Sequence, residues 1–375
     1  TGHGRKSEGN PTFHSAPMAL LQPLATRTLH RPRLVSLGLF TSMLAPGLAL
    51  GQVTSEGVGG TSTIVSTNAN VATVTGGRPS GTNLYHRFSE FKTTGTASAG
   101  VFFNLVDNPT TQNLVVGVSS TAGSLISAPV VLSQSANLIF MSPYGIVLTG
   151  GAGFGFGALA TGPITPLPTV TLTTANQLNF TNGSFVVVPP NPGAIYPSDT
   201  PNATTTGLIP LNTTLAALGQ ANPGQIILDG QTNGVSLVVD QGLLIAELVP
   251  SNNPPSTATL SPVQVKGTVT LETKDIGTIN GAFNLGEWSN NAWSTASLVA
   301  KSGSGTGSRD LTWAAPVEVK PGSTFNLQGS ASGPITLTGR VSLYGWEMTN
   351  PITFANLVST SGDNTVEGGI ELFGP

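Results

Sequence analysis

Residues 76 to 92 read Gly-Gly-Arg-Pro-Ser-Gly-Thr-Asn-Leu-Tyr-His-Arg-Phe-Ser-Glu-Phe-Lys. The Gly, Pro and Ser residues at the start of this stretch are turn formers. They lead into a dense apolar group that consists of Leu84, Tyr85, Phe88 and Phe91, in a chain that is only 6% aromatic. This density indicates that the stretch anchors a specific local structure.

The rest of the 375-residue chain is poor in charge and rich in small residues. Only 8% of its residues are charged, against about 25% in an ordinary globular domain, and it has 47 Gly and no Cys. Nine basic and 16 acidic side chains follow Leu34, which gives this part a net charge of −7. Nucleic-acid binding is therefore not expected, because no basic stripe could displace counterions from phosphates.

The first 51 residues have the segment order of a secretory signal peptide. Three arginines between positions 27 and 33 precede an apolar run from Leu34 to Leu44, and small residues follow up to Gly51. A transmembrane anchor would need about 20 apolar residues, and this run is shorter. We predict that residues 1–51 are upstream sequence plus a signal peptide, with translation starting at Met18.

Beyond Gln52 the chain consists of short apolar runs separated by turn residues, with no helical period of useful length. Such runs suit either a β-sandwich or a parallel β-solenoid. Two features favour the solenoid. Adjacent apolar pairs are typical of parallel strands that are buried on the inside. The low charge suits a stack in which like residues lie above one another and like charges would repel.

Two proline-rich segments, Pro189 to Pro210 and Pro250 to Pro262, interrupt the strand pattern. Because proline cannot donate to a strand ladder, we expect loop or hairpin excursions there. The open end of a stacked β-structure needs a cap. The Thr/Val alternation from Val53 to Val74 marks that segment as the candidate cap. The predicted fold is thus all-β, a parallel β-helix with an amino-terminal cap.

The chain offers few groups for catalysis. After the signal peptide it has no Cys and a single histidine, His86, so a His-based zinc site is not available and a Ser-His-Asp arrangement could use only that residue. Its place in the aromatic group favours a packed structural role. The acids considered for glycosidase or lyase chemistry are Asp229, Asp240, Glu247, Glu272, Asp275, Glu287 and Asp310. No two of them stand out as a pair, so we predict no catalytic, cofactor-binding or metal site.

The opening stretch resembles the amino-terminal secretion domain of filamentous-haemagglutinin-type exoproteins. That domain commonly reads Gly-x-Asn-Leu-Phe-His-Ser-Phe-x-x-Phe soon after the signal peptide. Residues 136 to 148, Ala-Asn-Leu-Ile-Phe-Met-Ser-Pro-Tyr-Gly-Ile-Val-Leu, are similar to the family's strand–turn–strand segment, in which the turn is Asn-Pro-Asn-Gly. Here the turn keeps its proline and glycine but loses both asparagine side chains. The likeness covers roughly residues 57–248.

The resemblance implies two-partner secretion. An outer-membrane transporter of the Omp85 type would recognise the secretion domain in the periplasm, and the chain would wind into a right-handed parallel β-helix outside. The secretion motif then comprises Asn83, Leu84, Tyr85, His86, Phe88, Phe91, Ser142, Pro143, Tyr144 and Gly145. Residues 52–250 are expected to form the secretion domain. Residues 251–375 are expected to continue the β-helix or to form a β-rich extension, and their end reads like an interrupted coil.

The expected function is that of a non-enzymatic adhesin, secreted or held at a Gram-negative cell surface, with host or matrix glycans as further partners. Two alternatives stay open. A carbohydrate-binding matrix protein would use some of the four tryptophans, which all lie in the final quarter of the chain, although indoles serve equally well in a core. These are Trp288, Trp293, Trp313 and Trp346. A polysaccharide-active β-helix enzyme would use the acids named above.

Overall fold

The computed structural model describes residues 52–56, 61–68, 71–93, 100–158, 164–180, 183–187, 215–220, 223–251, 259–290, 292–302, 310–328, 335–344, 352–355, 365–366, 368 and 370–373. The predicted signal peptide lies outside these residues. Within them all regular structure is β-strand, as predicted, and no helix is long and apolar enough to cross a membrane.

The strands of the first half are β1 (Val53–Ser55), β2 (Thr63–Asn68), β3 (Val71–Gly76), β4 (Arg78–Ser80), β5 (Asn83–Phe91), β6 (Gly100–Phe103), β7 (Asn113–Val118), β8 (Ser124–Ile126), β9 (Pro129–Leu132), β10 (Asn137–Met141), β11 (Ile146–Thr149), β12 (Gly153–Phe156), β13 (Thr165–Thr173), β14 (Gln177–Phe180), β15 (Gly183–Val186) and β16 (Leu215–Ala216). The strands of the second half are β17 (Ile226–Leu248), β18 (Leu260–Ser261), β19 (Val263–Thr273), β20 (Gly277–Gly281), β21 (Phe283–Leu285), β22 (Trp288–Ser289), β23 (Ala292–Trp293), β24 (Ala296–Ser302), β25 (Leu311–Trp313), β26 (Val317–Val319), β27 (Thr324–Gln328), β28 (Ile335–Leu337), β29 (Val341–Tyr344), β30 (Ile352–Ala355), β31 (Thr365–Val366) and β32 (Ile370–Phe373).

Most strands pair in parallel with a strand further along the chain, and the pairs fall into three series. Series A contains β5, β7, β10, β13, the end of β17, β20, β25, β28 and β31. Series B contains β8, β11, the starts of β17 and β19, β21, β26, β29 and β32. Series C contains β3, β6, β9 and β12, and resumes with the middle of β17, the end of β19, β24, β27 and β30.

From β7 onwards the chain visits the series in the repeated order A, B, C. The parallel pairs are in register, so that equivalent side chains of successive strands lie beside one another. In series A the position of Leu84 is occupied next by Leu114, then by Leu138 and then by Val170, and all four are fully buried. The inward side chains of all three series join in one apolar cluster, which is the main core.

The side of the stack that precedes β5 is closed by antiparallel strands. Strand β5 pairs with β7 on one side, and on the other side it pairs antiparallel with β1 and β4. Strand β2 pairs antiparallel with β3, the first strand of series C. Strands β1 and β2 lie in the segment predicted to be the cap, whereas β4 lies beyond it.

The chain leaves the three series at two kinds of junction. Between series A and series B the chain departs twice, after β13 and after the end of β17, and the first departure carries the antiparallel sheet of β14, β15 and β16. Between series B and series C, β22 and β23 form a short hairpin. The proline-rich segments predicted as excursions fall largely on residues 188–214 and 252–258, which lie outside the described residues.

The in-register core makes a quantitative prediction about stability. Replacing Leu138, which is fully buried in the middle of series A, by Ala should lower the free energy of unfolding by about 2 to 5 kcal/mol through lost burial and a residual cavity. The control is Val106→Ala, at a side chain that is 69% exposed, which should stay within about 0.5 kcal/mol of the unchanged protein. Urea denaturation followed by circular dichroism measures both. Equal effects of the two substitutions would contradict the assignment of Leu138 to the core.

Candidate functional site

The first predicted motif, residues 83 to 91, forms β5, and its side chains point alternately to two different cores. Leu84 and Phe88 belong to the main core, and the ring of His86 packs between Phe88 and Phe103. Tyr85 points the other way, into a second apolar cluster under the β14–β15–β16 sheet. Strand β5 is therefore buried on both faces.

A β-bulge explains how Phe88 and Phe91 can both face the main core although they are three residues apart. The register of the β1–β5 pairing shifts so that Ser89 has no opposite residue. An extra residue in one strand reverses the alternation of the side chains that follow. The rings of Phe88 and Phe91 meet edge to face at a centroid distance of 5.3 Å, and Phe91 meets Phe140 of β10 in the same way at 5.0 Å.

His86 is a buried neutral side chain. Its Nδ1 lies 3.0 Å from the Thr63 hydroxyl, and that hydroxyl lies 2.8 Å from the Thr61 hydroxyl. The Thr61 hydroxyl in turn accepts the backbone N–H of Arg87 at 2.8 Å. Burial lowers the pKa of His86 to about 3, because the charged ring would lose its hydration without gaining a counterion. The hydrogen bond to Thr63 ties β5 to β2 across the amino-terminal side of the stack.

The outward side chains of β5 hold the β14–β15–β16 sheet. The ring of Tyr85 stacks on Phe185 of β15 at 5.1 Å and meets Phe180 of β14 edge to face at 6.4 Å. The guanidinium of Arg87 lies 4.4 Å from the centre of the Phe185 ring, and its Nη1 donates to the Val186 carbonyl. Cation–π attraction strengthens when the cation is desolvated, and Arg87 is fully buried.

A ladder of buried side-chain amides runs along the start of series A. Asn113 donates to the Oδ1 of Asn83 at 2.8 Å, and Asn137 donates to the Oδ1 of Asn113 at 2.9 Å. The Thr169 hydroxyl donates to the Oδ1 of Asn137 at 2.8 Å, and Asn83 itself donates to the Tyr85 hydroxyl at 3.1 Å. Buried amides are costly unless they are hydrogen-bonded, and this arrangement satisfies them across four strands. Of these residues Asn83 and Tyr85 were predicted to matter, whereas the other three were not; the dipeptide Asn-Leu recurs at 83, 113 and 137, but at unequal intervals.

The second predicted motif, Ser142 to Gly145, is the turn that joins β10 of series A to β11 of series B. The Gly145 N–H donates to the Ser142 carbonyl at 3.0 Å, and the Ser142 hydroxyl donates to the Gly145 carbonyl at 2.8 Å. Gly145 has a φ of 117°, a backbone conformation in which a residue with a side chain would be strained. Ser142 thus closes the turn through both its carbonyl and its hydroxyl.

Gln220 and Gly224, which precede β17 of series B, clamp this turn. The Gly224 N–H donates to the Pro143 carbonyl at 2.9 Å, and the side chain of Gln220 donates to the same carbonyl. A Cβ atom at position 224 would lie 1.8 Å from the carbonyl carbon of Tyr144. The turn and the segment above it therefore touch backbone to backbone.

Glu247 lies where the first excursion ends and the second begins. Its Oε2 accepts the Ile226 N–H at 2.7 Å, at the point where the chain returns from the first excursion. The second excursion begins just after Glu247, and β18 returns beside it. Burial raises the pKa of Glu247 to about 7, although hydrogen bonds from the Ile226 N–H and the Ser261 hydroxyl oppose the shift.

Two of the seven acids considered for catalysis, Glu272 and Glu287, are paired with lysines. Glu272 pairs with Lys274 and, at 3.0 Å, with Lys301. Burial alone would raise the pKa of Glu272, but the hydrogen bonds and charges of the two lysines outweigh it, so that the pKa lies below its usual value. Glu287 pairs with Lys266 at 3.1 Å. In the described part of the chain no group of three or more His, Cys, Asp or Glu side chains could hold a metal ion.

The folded chain does not display the predicted motif as a continuous surface. Tyr144 of the motif is half-buried, and its other nine residues are buried: Asn83, Leu84, Tyr85, His86, Phe88, Phe91, Ser142, Pro143 and Gly145. A partner that reads these side chains must therefore meet the chain before it folds.

A scan of protein-family models finds no match to this chain, and neither does a search of the curated proteins.

His86 and Glu247 should give opposite pH dependences of the free energy of unfolding. As the pH falls below about 6.5, the unfolded state protonates at His86 before the folded state does, so stability is lost down to a pH of about 3. As the pH rises from about 4.5 to 7, the unfolded state loses the Glu247 proton first, so stability is lost in that direction. Each slope approaches about 1.4 kcal/mol per pH unit, and the two offset each other between pH 4.5 and 6.5.

Replacing His86 or Glu247 by the uncharged residue Gln separates the two pH dependences of the free energy of unfolding. Relative to the unchanged protein, His86→Gln should gain stability as the pH is lowered from 6.5 to 4.5, and Glu247→Gln should lose it. Urea denaturation at half-unit pH steps measures both profiles. If the two variants follow the same profile, the charge states assigned to these side chains are wrong.

The clamp on the turn yields a separate prediction. Gly224→Ala should lower the free energy of unfolding by about 3 kcal/mol, because the backbones of residues 144 and 224 must move apart. Gly153→Ala is the matched control. Its new Cβ would meet nothing closer than 3.9 Å, so stability should be unchanged or higher by up to about 1 kcal/mol. Similar losses in both variants, measured by thermal and urea unfolding, would rule out the clamp.

Proposed function

We propose that this chain is a secreted or surface-exposed exoprotein that is exported by two-partner secretion and acts as an adhesin. In this proposal the three series of strands are the three faces of a right-handed parallel β-helix. Residues 52–250 form its secretion domain, and the remaining coils extend the stack. The partners are an outer-membrane transporter of the Omp85 type and, outside the cell, host or matrix glycans.

The β-helix is supported by the order in which the chain visits the three series. Parallel strands of one series are joined through strands of the other two, and crossovers between parallel strands are right-handed in about 98% of cases. Each passage A, B, C then equals one coil. The antiparallel strands β1, β2 and β4 act as the cap, because they pair the edges of β3 and β5 that no earlier coil could pair.

Export as an unfolded chain is supported by the position of the motif. Strand β5, which carries most of it, is the first parallel strand of series A, and its side chains are buried on both faces. A transporter that binds these side chains in the unfolded chain releases them into the first coil. Because a coil contacts mainly its neighbours, folding can then propagate strand by strand as the chain emerges.

A non-enzymatic role agrees with the chemistry of the described residues. The single histidine of the exported part is buried and neutral, and Glu272 and Glu287 are engaged by lysines. Glu247 is buried beneath two excursions. The observation that carries the proposal is the burial of the motif at the start of the stack. The same residues could be bound by the transporter during export and then form the first coil.

Export can be tested separately from folding by comparing two buried phenylalanines. Phe88 and Phe103 lie in the same core with ring centroids 6.1 Å apart, and both are fully buried, but only Phe88 belongs to the motif. Substitution by Ala should destabilise the folded protein by about 3 to 5 kcal/mol at either site. We expect Phe88→Ala to reduce export at least about tenfold and Phe103→Ala to leave it nearly unchanged, because the transporter reads the unfolded chain.

The measurement is co-expression with the cognate outer-membrane transporter, followed by quantification of the chain at the cell surface and in the medium. Urea denaturation of both refolded variants confirms that their stabilities match. Equal losses of export would mean that Phe88 acts only through folding, and the motif assignment would fail.

A further inference from the structure

The β22–β23 hairpin carries an exposed pair of indole rings. Trp288 and Trp293 are opposite residues of the two strands, and their side chains are 55% and 37% exposed. The rings meet edge to face, with centroids 5.3 Å apart and planes at 65°. Trp313, by contrast, is fully buried, packs on Phe283 and donates its indole N–H to the Ala315 carbonyl at 2.7 Å. Trp346 lies outside the described residues.

The hairpin is held firmly at its base. The Ser294 N–H donates to the Glu287 carbonyl, and the Glu287 N–H donates to the Ser294 hydroxyl, both at 2.8 Å. The Glu287 carboxylate pairs with Lys266 of β19 at 3.1 Å. At the tip, Asn290 has a φ of 51°, the left-handed conformation that tight hairpin turns require and asparagine tolerates. The two rings are thus presented on a fixed support, which lowers the entropy lost when a ligand binds.

The surroundings of the indoles indicate the chemistry of a ligand. The described residues next to Trp288 and Trp293 in the hairpin sequence are Ser289, Asn290, Ala292 and Ser294, so the hairpin itself carries polar groups but no large aliphatic side chain. The Lys266 ammonium is paired with the Glu287 carboxylate. A lipid surface would be matched by further apolar or basic residues. A neutral sugar is matched by aromatic faces for its C–H groups and by the exposed polar side chains at the hairpin tip, Ser289 and Asn290, for its own hydroxyls.

We propose that the β22–β23 hairpin is a binding site for neutral pyranose sugars, with Trp288 and Trp293 as the stacking surfaces. The site lies at the junction of series B and series C, far along the sequence from the secretion motif. It deepens the adhesin proposal by naming the class of ligand, and it rests on that proposal only for its biological setting.

The test uses the purified full chain and a panel of neutral gluco-, galacto- and manno-oligosaccharides. The oligosaccharide that binds best on an array is then titrated by calorimetry against three variants. Trp288→Ala should weaken binding at least about tenfold, the loss expected when one stacking contact is removed. Trp288→Phe should weaken it less, because a smaller aromatic face remains. Ile276→Ala, which removes an equally exposed apolar side chain elsewhere, should leave the affinity unchanged.

Three outcomes would overturn the site. They are no binding of the unchanged chain to any neutral glycan of the panel, unchanged affinity of Trp288→Ala, or binding to phosphatidylcholine vesicles in place of glycans. Circular dichroism of each variant verifies the fold, which should persist because both rings are exposed. The measurement does not involve export, so its failure would leave the secretion proposal standing, and failure of the Phe88 test would leave the sugar site standing.

Discussion

A β-strand has backbone N–H and C=O groups along both of its edges, and those groups must be paired wherever water cannot reach them. In this chain most parallel strands of a series pair one edge with an earlier strand and the other edge with a later one. The arrangement therefore needs a beginning that is not itself a parallel strand. Strands β1, β2 and β4 provide it, since they run antiparallel to β5 and β3 and pair their outer edges. Series A and series C thus each begin on an edge that an antiparallel strand has already paired.

Strand β5 also joins two cores that would otherwise be independent. Leu84 and Phe88 fill the main core between the series, while Tyr85 and Arg87 hold the β14–β15–β16 sheet against the outside of series A. Any loss of order in β5 would expose both apolar clusters at once. The concentration of aromatic residues in one short segment is thereby explained by packing, without reference to a reactive site.

The sequence predicted much of the fold, because its signals were local. Apolar runs with turn residues between them gave the strand class, and the Ser-Pro-Tyr-Gly turn was located correctly between two strands. Three features escaped prediction for physical reasons. The β14–β15–β16 sheet covers Tyr85 from about 100 residues away, and no local pattern reports such a contact. The bulge at Ser89 breaks the alternation that a strand pattern assumes. The intervals of 30 and 24 residues between the Asn-Leu dipeptides are unequal, which hides the amide ladder.

The amide ladder also acts as a check on the alignment of successive strands. Each link requires a side-chain amide or hydroxyl beside an amide at the same height, as for Asn83, Asn113 and Asn137. A slip of one residue would set an aliphatic side chain, such as Leu114, opposite an amide and leave a buried polar group unsatisfied. Because the links are consecutive, an error at one level removes partners from two others. The ladder thus penalises a misaligned strand at its own level and at the levels on either side of it.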